Sequence, residues 1–185
     1  MKTFKTSTGE NIYVYDDVFS WEDAYKFEQI AQTSSFKLNT TTAGAASDTS
    51  SFYRCFLNEH ELDKFNIFNT DGAKSLEHHF KDQIWYVSWI LSSTYMTKYQ
   101  FHIDNTKKTN GKSFLYYINT KWDKDWGGET LFANSNGEVE IAVSFKPNRV
   151  VIFDSEIVHK PSMITADATP YRYTFVAQFK HYTQE

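Results

Sequence analysis

The sequence predicts a mainly β protein, a jelly roll braced by helices that come first in the chain. Three observations predict it. Aromatic residues are abundant at 18%, with 16 Phe, 12 Tyr and 5 Trp among 185 residues, and these side chains suit the pleated surface of strands. From residue 83 onward the apolar pattern breaks into about eight short segments, separated by turn-forming runs such as "NTKKTNG", "KDWGG", "NSNG" and "KPN". Strands so short and so spaced argue for a sandwich or barrel rather than a parallel sheet. Before residue 83, by contrast, apolar residues recur at helical spacing.

The helices come in order. In "VFSWEDAYKFEQIAQ", Ser20 can cap a helix with Asp23 three residues on, and Ala24, Phe27 and Ala31 form its apolar stripe. "LNEHELDKFNIF" repeats the design, with Asn58 as cap, Glu61 three later, and Leu62, Phe65 and Phe68 on one stripe. "DGAKSLEHHFKDQ" predicts a third helix. Between the first two, the small polar run "NTTTAGAASDTSS" (39–51) shows no periodicity and reads as a loop. The expected strands are "IWYVSWILSS", "YMTKYQFHID", "KSFLYYINT", "ETLFA", "EVEIAVSF", "RVVIFDS", "IVHK" and "YRYTFVAQFK". An immunoglobulin-like sandwich is the alternative, but its cysteine pair is missing. One domain is expected, with 1–82 mainly helical support and 83–180 the jelly-roll core.

Composition excludes several classes. A net charge of −4 leaves no basic footprint for nucleic acid or an anionic membrane. The single Cys55 rules out an intrachain disulfide framework and any multi-cysteine zinc or iron–sulfur site. The start "MKTFKTSTGENIYVY" carries no apolar run behind its lysines, and no membrane-length stretch follows, so cytoplasmic residence is expected.

Chemistry enters at "YQFHIDNTKK". His102 and Asp104 flank a single Ile, so in a strand both side chains point to one face. A core has no use for that pairing, but a metal does. "FDSEIVHKP" brings a second imidazole, His159, late in the chain. Two imidazoles and one carboxylate form the facial triad of non-haem Fe(II) oxygenases, which leaves three adjacent positions open for a chelating co-substrate and O₂. His60, His78, His79 and His181 are expected to be solvated. Thirteen residues after His159, Arg172 opens the last strand in "TPYRYTF", with Thr174 on its face. A buried arginine is costly unless a carboxylate pairs with it, and its fork matches a dicarboxylate.

Taken together, the pattern resembles the 2-oxoglutarate- and Fe(II)-dependent dioxygenases, specifically their prolyl-hydroxylase-like branch. "FHIDN" resembles the family's HxD segment. "FLYYINTKWDKDWGGETLF" resembles its strand–loop–strand signature, "FKPNRVVIFDSEIVHKP" the stretch leading to the distal His, and "RYTFVAQF" the closing strand with the co-substrate anchor. The resemblance covers about residues 85–180. It implies a cupin-like double-stranded β-helix and an enzyme using Fe(II), 2-oxoglutarate and O₂, with ascorbate to maintain Fe(II). By it, His102, Asp104 and His159 hold the metal, while Arg172, Tyr117 and Thr174 hold the distal carboxylate of the co-substrate. Collagen-type prolyl hydroxylases carry Lys at the anchor, so Arg172 resembles the oxygen-sensing and ribosomal-protein-modifying branch instead.

The resemblance also implies a prolyl residue of a peptide or protein as substrate, with a free amino acid or small metabolite as the alternative. Trp122 and Trp126 read as either core wedges or substrate-facing residues, Asn105 is a further substrate-facing candidate, and the loops 39–51 and 105–112 are candidates to flank or close the site. Lys107, Lys108 and Lys112 would then face an acidic or peptide partner. A nucleic-acid demethylase is disfavoured by the missing basic patch and the lack of a second Arg soon after Arg172. A jelly roll binding metal or sugar without redox chemistry would leave Arg172 unexplained. Gly127 and Gly128 serve either the turn alone or a close approach of backbone to the site.

Overall fold

A computed structural model describes residues 1–42, 49–104, 111–168 and 171–181, with side chains omitted for 39–42 and 49–51. Eleven strands are defined among these residues: β1 (Lys2–Lys5), β2 (Asn11–Tyr15), β3 (Lys37–Thr42), β4 (Thr49–Leu57), β5 (Gln83–Ser93), β6 (Lys112–Tyr117), β7 (Thr130–Ala133), β8 (Val139–Val143), β9 (Arg149–Asp154), β10 (His159–Pro161) and β11 (Arg172–His181). They form an eight-stranded antiparallel sheet, ordered β1-β2-β9-β6-β11-β5-β4-β3, and a three-stranded sheet, ordered β10-β7-β8. The two sheets face each other as the double-stranded β-helix that the sequence predicts.

Strand alternation explains how one sheet serves two layers. On β6, Phe114 and Tyr116 point to the outer face, where they pack with Phe19, Phe27 and Phe65. Leu115 and Tyr117 point inward, against Phe132, Val143 and Phe145 of the smaller sheet and its flank. The outer layer is α1 (Trp21–Thr33) and α2 (Glu59–Phe65), capped as expected. Ser20 accepts from the Asp23 amide, and Asn58 with Glu61 completes a capping box. Phe27, Ala31 and Phe65 are fully or almost fully buried, each full-sized ring contributing about 1.5–3 kcal/mol to the packing of helix on sheet.

Four expectations change. The first 82 residues are less helical than expected, because β1 and β2 extend one edge of the large sheet and β3 and β4 the other. The run 39–51 is not simply a loop: its ends belong to β3 and β4, paired from Lys37↔Arg54 to Thr42↔Thr49. Threonine tolerates extended backbone, and residues 53–57 find a partner in β5. Residues 43–48 lie outside the described part. The third helix is broken into α3 (Asp71–Lys74) and a 3₁₀ turn (Glu77–Phe80). Finally, "YMTKYQFHID" is not a regular strand. It is irregular, with isolated bridge residues at Lys98 and at His102, the latter pairing antiparallel with His159. Among the described residues no helix is long and apolar enough to cross a membrane.

Candidate active site

The bridge between His102 and His159 builds the centre of the site. His102 and His159 exchange backbone hydrogen bonds of 3.0 and 2.9 Å, and the Asp104 amide donates to the Ser155 carbonyl at 2.9 Å. The segment is thereby pinned where His102, Asp104 and His159 converge, with one potential ligand atom from each lying within 4.8 Å of the others. The imidazoles are oriented alike. Each Nδ1 lies 2.9 Å from a backbone carbonyl, Gln100 for His102 and Ile157 for His159. A carbonyl only accepts, so Nδ1 carries the proton and Nε2 keeps its lone pair. Both Nε2 atoms face Asp104, one at 3.7 Å from Oδ1 and the other at 3.7 Å from Oδ2. Ser113 donates to Oδ2 at 2.5 Å and contacts Ser155 at 2.9 Å, which fixes the carboxylate. Burial, against the pull of Asp104, lowers the pKa of His159 to about 4, which favours the neutral imidazole.

Arg172 is only 1% exposed. Its Nε donates to the Gly128 carbonyl at 3.0 Å and its Nη1 to the Thr174 hydroxyl at 2.6 Å. Tyr117 and Phe145 lie beneath it, with ring centroids 5.5 and 5.1 Å from the guanidinium carbon. Nη2 is buried with no partner, and among the described residues no carboxylate forms an ion pair with this arginine. A desolvated cation with an orphaned N–H in the wall of a cavity is suited to receive an anion.

Two residues of the sequence signature hold Arg172 in place. The Asn119 side chain donates to the Tyr171 carbonyl at 2.8 Å and accepts from the Tyr173 amide at 2.7 Å, clamping the peptides on either side of it. Gly128 has φ +84°, and a Cβ there would lie 3.1 Å from both Cδ and Nε of Arg172. Both readings of the glycine pair therefore hold, the turn and the close approach.

Triad and arginine share one cavity of about 360 Å³, lined also by Trp89, Leu91, Tyr99, Thr130 and Thr174. Tyr99 and Thr130 are not singled out by the sequence. Thr130 opens a strand whose next inward residue, Phe132, is plain core, and no residue pattern separates the two. Tyr117 stands one layer back, its hydroxyl 2.7 Å from Thr130 Oγ1, which takes the place at the wall. Trp122 and Trp126 do not line the cavity either. Trp122 donates to the Gly127 carbonyl at 3.0 Å and packs on Phe145, with Trp126 edge-on to it, so both belong to the support behind Arg172. Trp89 is the tryptophan at the wall. Lys112 is engaged by Asp154 at 2.6 Å and greets no partner. Asn105, Lys107 and Lys108 lie outside the described residues. His79 is not solvated: it is half-buried, 2.6 Å from the Tyr15 hydroxyl.

Residues 90–180, which carry the triad and Arg172, match the model of the 2OG-Fe(II) oxygenase superfamily. This stretch belongs to that superfamily. Solved structures of such oxygenases share its fold across nearly the whole chain. A 2OG-Fe(II) oxygenase-family oxidoreductase from Burkholderia pseudomallei superposes with a TM-score of 0.71 at 13% identity, covering 94% of this chain and 86% of that one. A prolyl hydroxylase from Trichoplax adhaerens, in complex with a hypoxia-inducible-factor peptide fragment, gives 0.69 at 14%, covering 91% and 83%. A Pseudomonas putida prolyl-4-hydroxylase gives 0.66 at 13%, covering 93% of each chain. No curated protein sequence matches this chain.

Proposed function

We propose that this oxygenase hydroxylates a prolyl residue in a peptide or protein, consuming 2-oxoglutarate and O₂ at Fe(II). The observation that carries the co-substrate is the orphaned Nη2 of Arg172, sharing one cavity with three convergent metal-type donors. Those donors fit Fe(II): two imidazoles and one carboxylate, with no thiolate among them to favour a softer metal. When bound, Fe(II) and 2-oxoglutarate supply O₂ activation, yielding succinate and CO₂ and inserting one oxygen atom into a C–H bond.

The chain's own residues do the rest. His102, Asp104 and His159 would hold the metal through Nε2, a carboxylate oxygen and Nε2. Ser113 and the carbonyls of Gln100 and Ile157 keep those ligands aimed. Arg172 and Thr174 would take the far carboxylate of 2-oxoglutarate, which sets the co-substrate's length and direction. Trp89, Leu91 and Phe153 wall the cavity with apolar surface and exclude water. Peptide substrate is supported by shape. A second hollow of about 420 Å³, lined by Lys98, Leu131, Lys160 and Met163, shares Tyr99, Gln100 and Pro161 with the cavity and so extends it as a groove. The fold-level likeness to prolyl hydroxylases points the same way.

The test is direct. Protein with Fe(II), 2-oxoglutarate and ascorbate is incubated with proline-containing peptides, free proline, and free lysine or arginine. Mass spectrometry should find one added oxygen on a peptide proline. Oxidation of a free amino acid with every peptide untouched would overturn the peptidyl reading.

A further inference from the structure

The cavity holds a second arginine that the co-substrate does not need. β4 alternates Phe52, Arg54 and Phe56 onto one face, and pairing with β5 sets Arg54 opposite Leu91 and Phe56 opposite Trp89. The Arg54 guanidinium carbon lies 3.9 Å from the Phe56 ring centroid, 5.4 Å from Trp89 and 5.7 Å from Phe52. Three rings thus strip water from its faces and leave its edge to recognise something in plane. Nε is buried with no partner, and among the described residues no carboxylate forms an ion pair with it. Arg54, Phe52 and Trp89 all line the same cavity as the triad and Arg172.

Register separates the two cations. Arg54 pairs with Leu91, and Leu91 pairs with Thr174, the residue that receives Arg172. Two inter-strand steps of about 4.8 Å place Arg54 and Thr174 roughly 10 Å apart along the sheet. A five-carbon dicarboxylate bound at the metal with one end and at Arg172 with the other has no charge left for Arg54.

We propose that Arg54 is the anchor for a carboxylate on the prime substrate, lying close to the carbon that is hydroxylated. This rests on the prolyl reading above. The carboxylate has two sources, an acidic side chain beside a peptidyl proline or the α-carboxylate of proline itself.

Two isosteric pairs separate them: Ac-Gly-Glu-Pro-Gly-NH₂ against its Gln counterpart, and L-proline against L-prolinamide. Affinity is measured by calorimetry on protein loaded with Mn(II) and N-oxalylglycine, so that no turnover is required, and hydroxylation is followed separately with Fe(II). The acid member of one pair should bind roughly tenfold or more tightly than its neutral partner, the size expected of a charge-assisted bond. In Arg54→Gln the gap should close to within about twofold, whereas Arg54→Lys should keep part of it. The pair that shows the gap names the source.

Equal binding of acid and neutral members, a gap that survives Arg54→Gln, or no binding by any of the four would overturn the proposal. An Arg54 that merely stacks on its rings would lower the melting temperature when replaced, with no effect on acid-over-neutral preference. If Arg54→Gln fails to fold, the wild-type gap and its reduction in Arg54→Lys decide. Charge preference without hydroxylation would fell the prolyl reading and leave Arg54 standing; hydroxylation blind to charge would do the reverse.

Discussion

At the scale of the residue, the site is a set of polar atoms held one bond short of satisfaction. Arg172 uses Nε on Gly128 and Nη1 on Thr174 and keeps Nη2 for a ligand. Arg172→Lys keeps the charge and loses the fork, so 2-oxoglutarate affinity should fall by about 1–3 kcal/mol, read as the rise in its dissociation constant by calorimetry. Asn119 never reaches the cavity, yet it clamps both peptides flanking Arg172. Asn119→Ala should therefore raise the KM for 2-oxoglutarate more than it changes Fe(II) affinity; an equal loss of both would mean general unfolding instead. The residues of the triad and Arg172 are legible in the sequence because each is a chemically unusual choice for its place. Thr130 and Tyr99 are not, since a threonine opening a strand and a tyrosine in an aromatic-rich segment look like any others.

Elements explain what was harder to read. The helices α1 and α2 carry caps and a 3.6-residue stripe, and both appear where those signals put them. Where β3 and β4 meet they carry no such signal, because a run of Asn, Thr and Ser becomes strand only when a partner accepts it, here each end the other, with residues 53–57 of β4 held by β5. "YMTKYQFHID" fails the other way. Its alternation is good, but it meets partners only at scattered points, among them the bridge of His102 with His159 and the Asp104 amide on Ser155.

Two contacts tie the front of the chain to the sheet, and both are testable. Asn148, at φ +58° and 1% exposed, exchanges side-chain hydrogen bonds with the Phe19 backbone at 3.0 and 2.8 Å. Asn148→Ala should cost about 2–3 kcal/mol in a urea melt, and Asn148→Gly about the same less the relief of backbone strain. His79 ties the 3₁₀ turn to β2 through Tyr15. Burial first, then His78 and Lys112, lower its pKa to about 4. Its folded pKa lies below the unfolded value of 6.5, so the unfolded chain binds the extra proton between pH 6.5 and 4. Metal-free protein should lose stability as pH falls through that window, and His79→Gln should flatten the slope; an unchanged slope would remove His79 from the account.

For the whole molecule, the double-stranded β-helix puts ligands from distant parts of the chain into one mouth. His102 precedes β6, His159 opens β10 and Arg172 opens β11, and only sheet closure brings them together. A metal and co-substrate that bind only that closed form would stabilise it. Saturation at about 100 times the dissociation constant adds about 2.7 kcal/mol, so Mn(II) with N-oxalylglycine should raise the melting temperature, and neither should do so in Asp104→Ala. The central claim is that His102, Asp104 and His159 hold Fe(II) with 2-oxoglutarate chelated beside Arg172. Anaerobic titration of Fe(II) and 2-oxoglutarate into the protein tests it most directly, followed by admission of air. The account predicts a visible metal-to-ligand charge-transfer band that needs both additions, disappears in Asp104→Ala, and decays with release of succinate. No band at saturating Fe(II) and 2-oxoglutarate, or a band of full strength in Asp104→Ala, would contradict it.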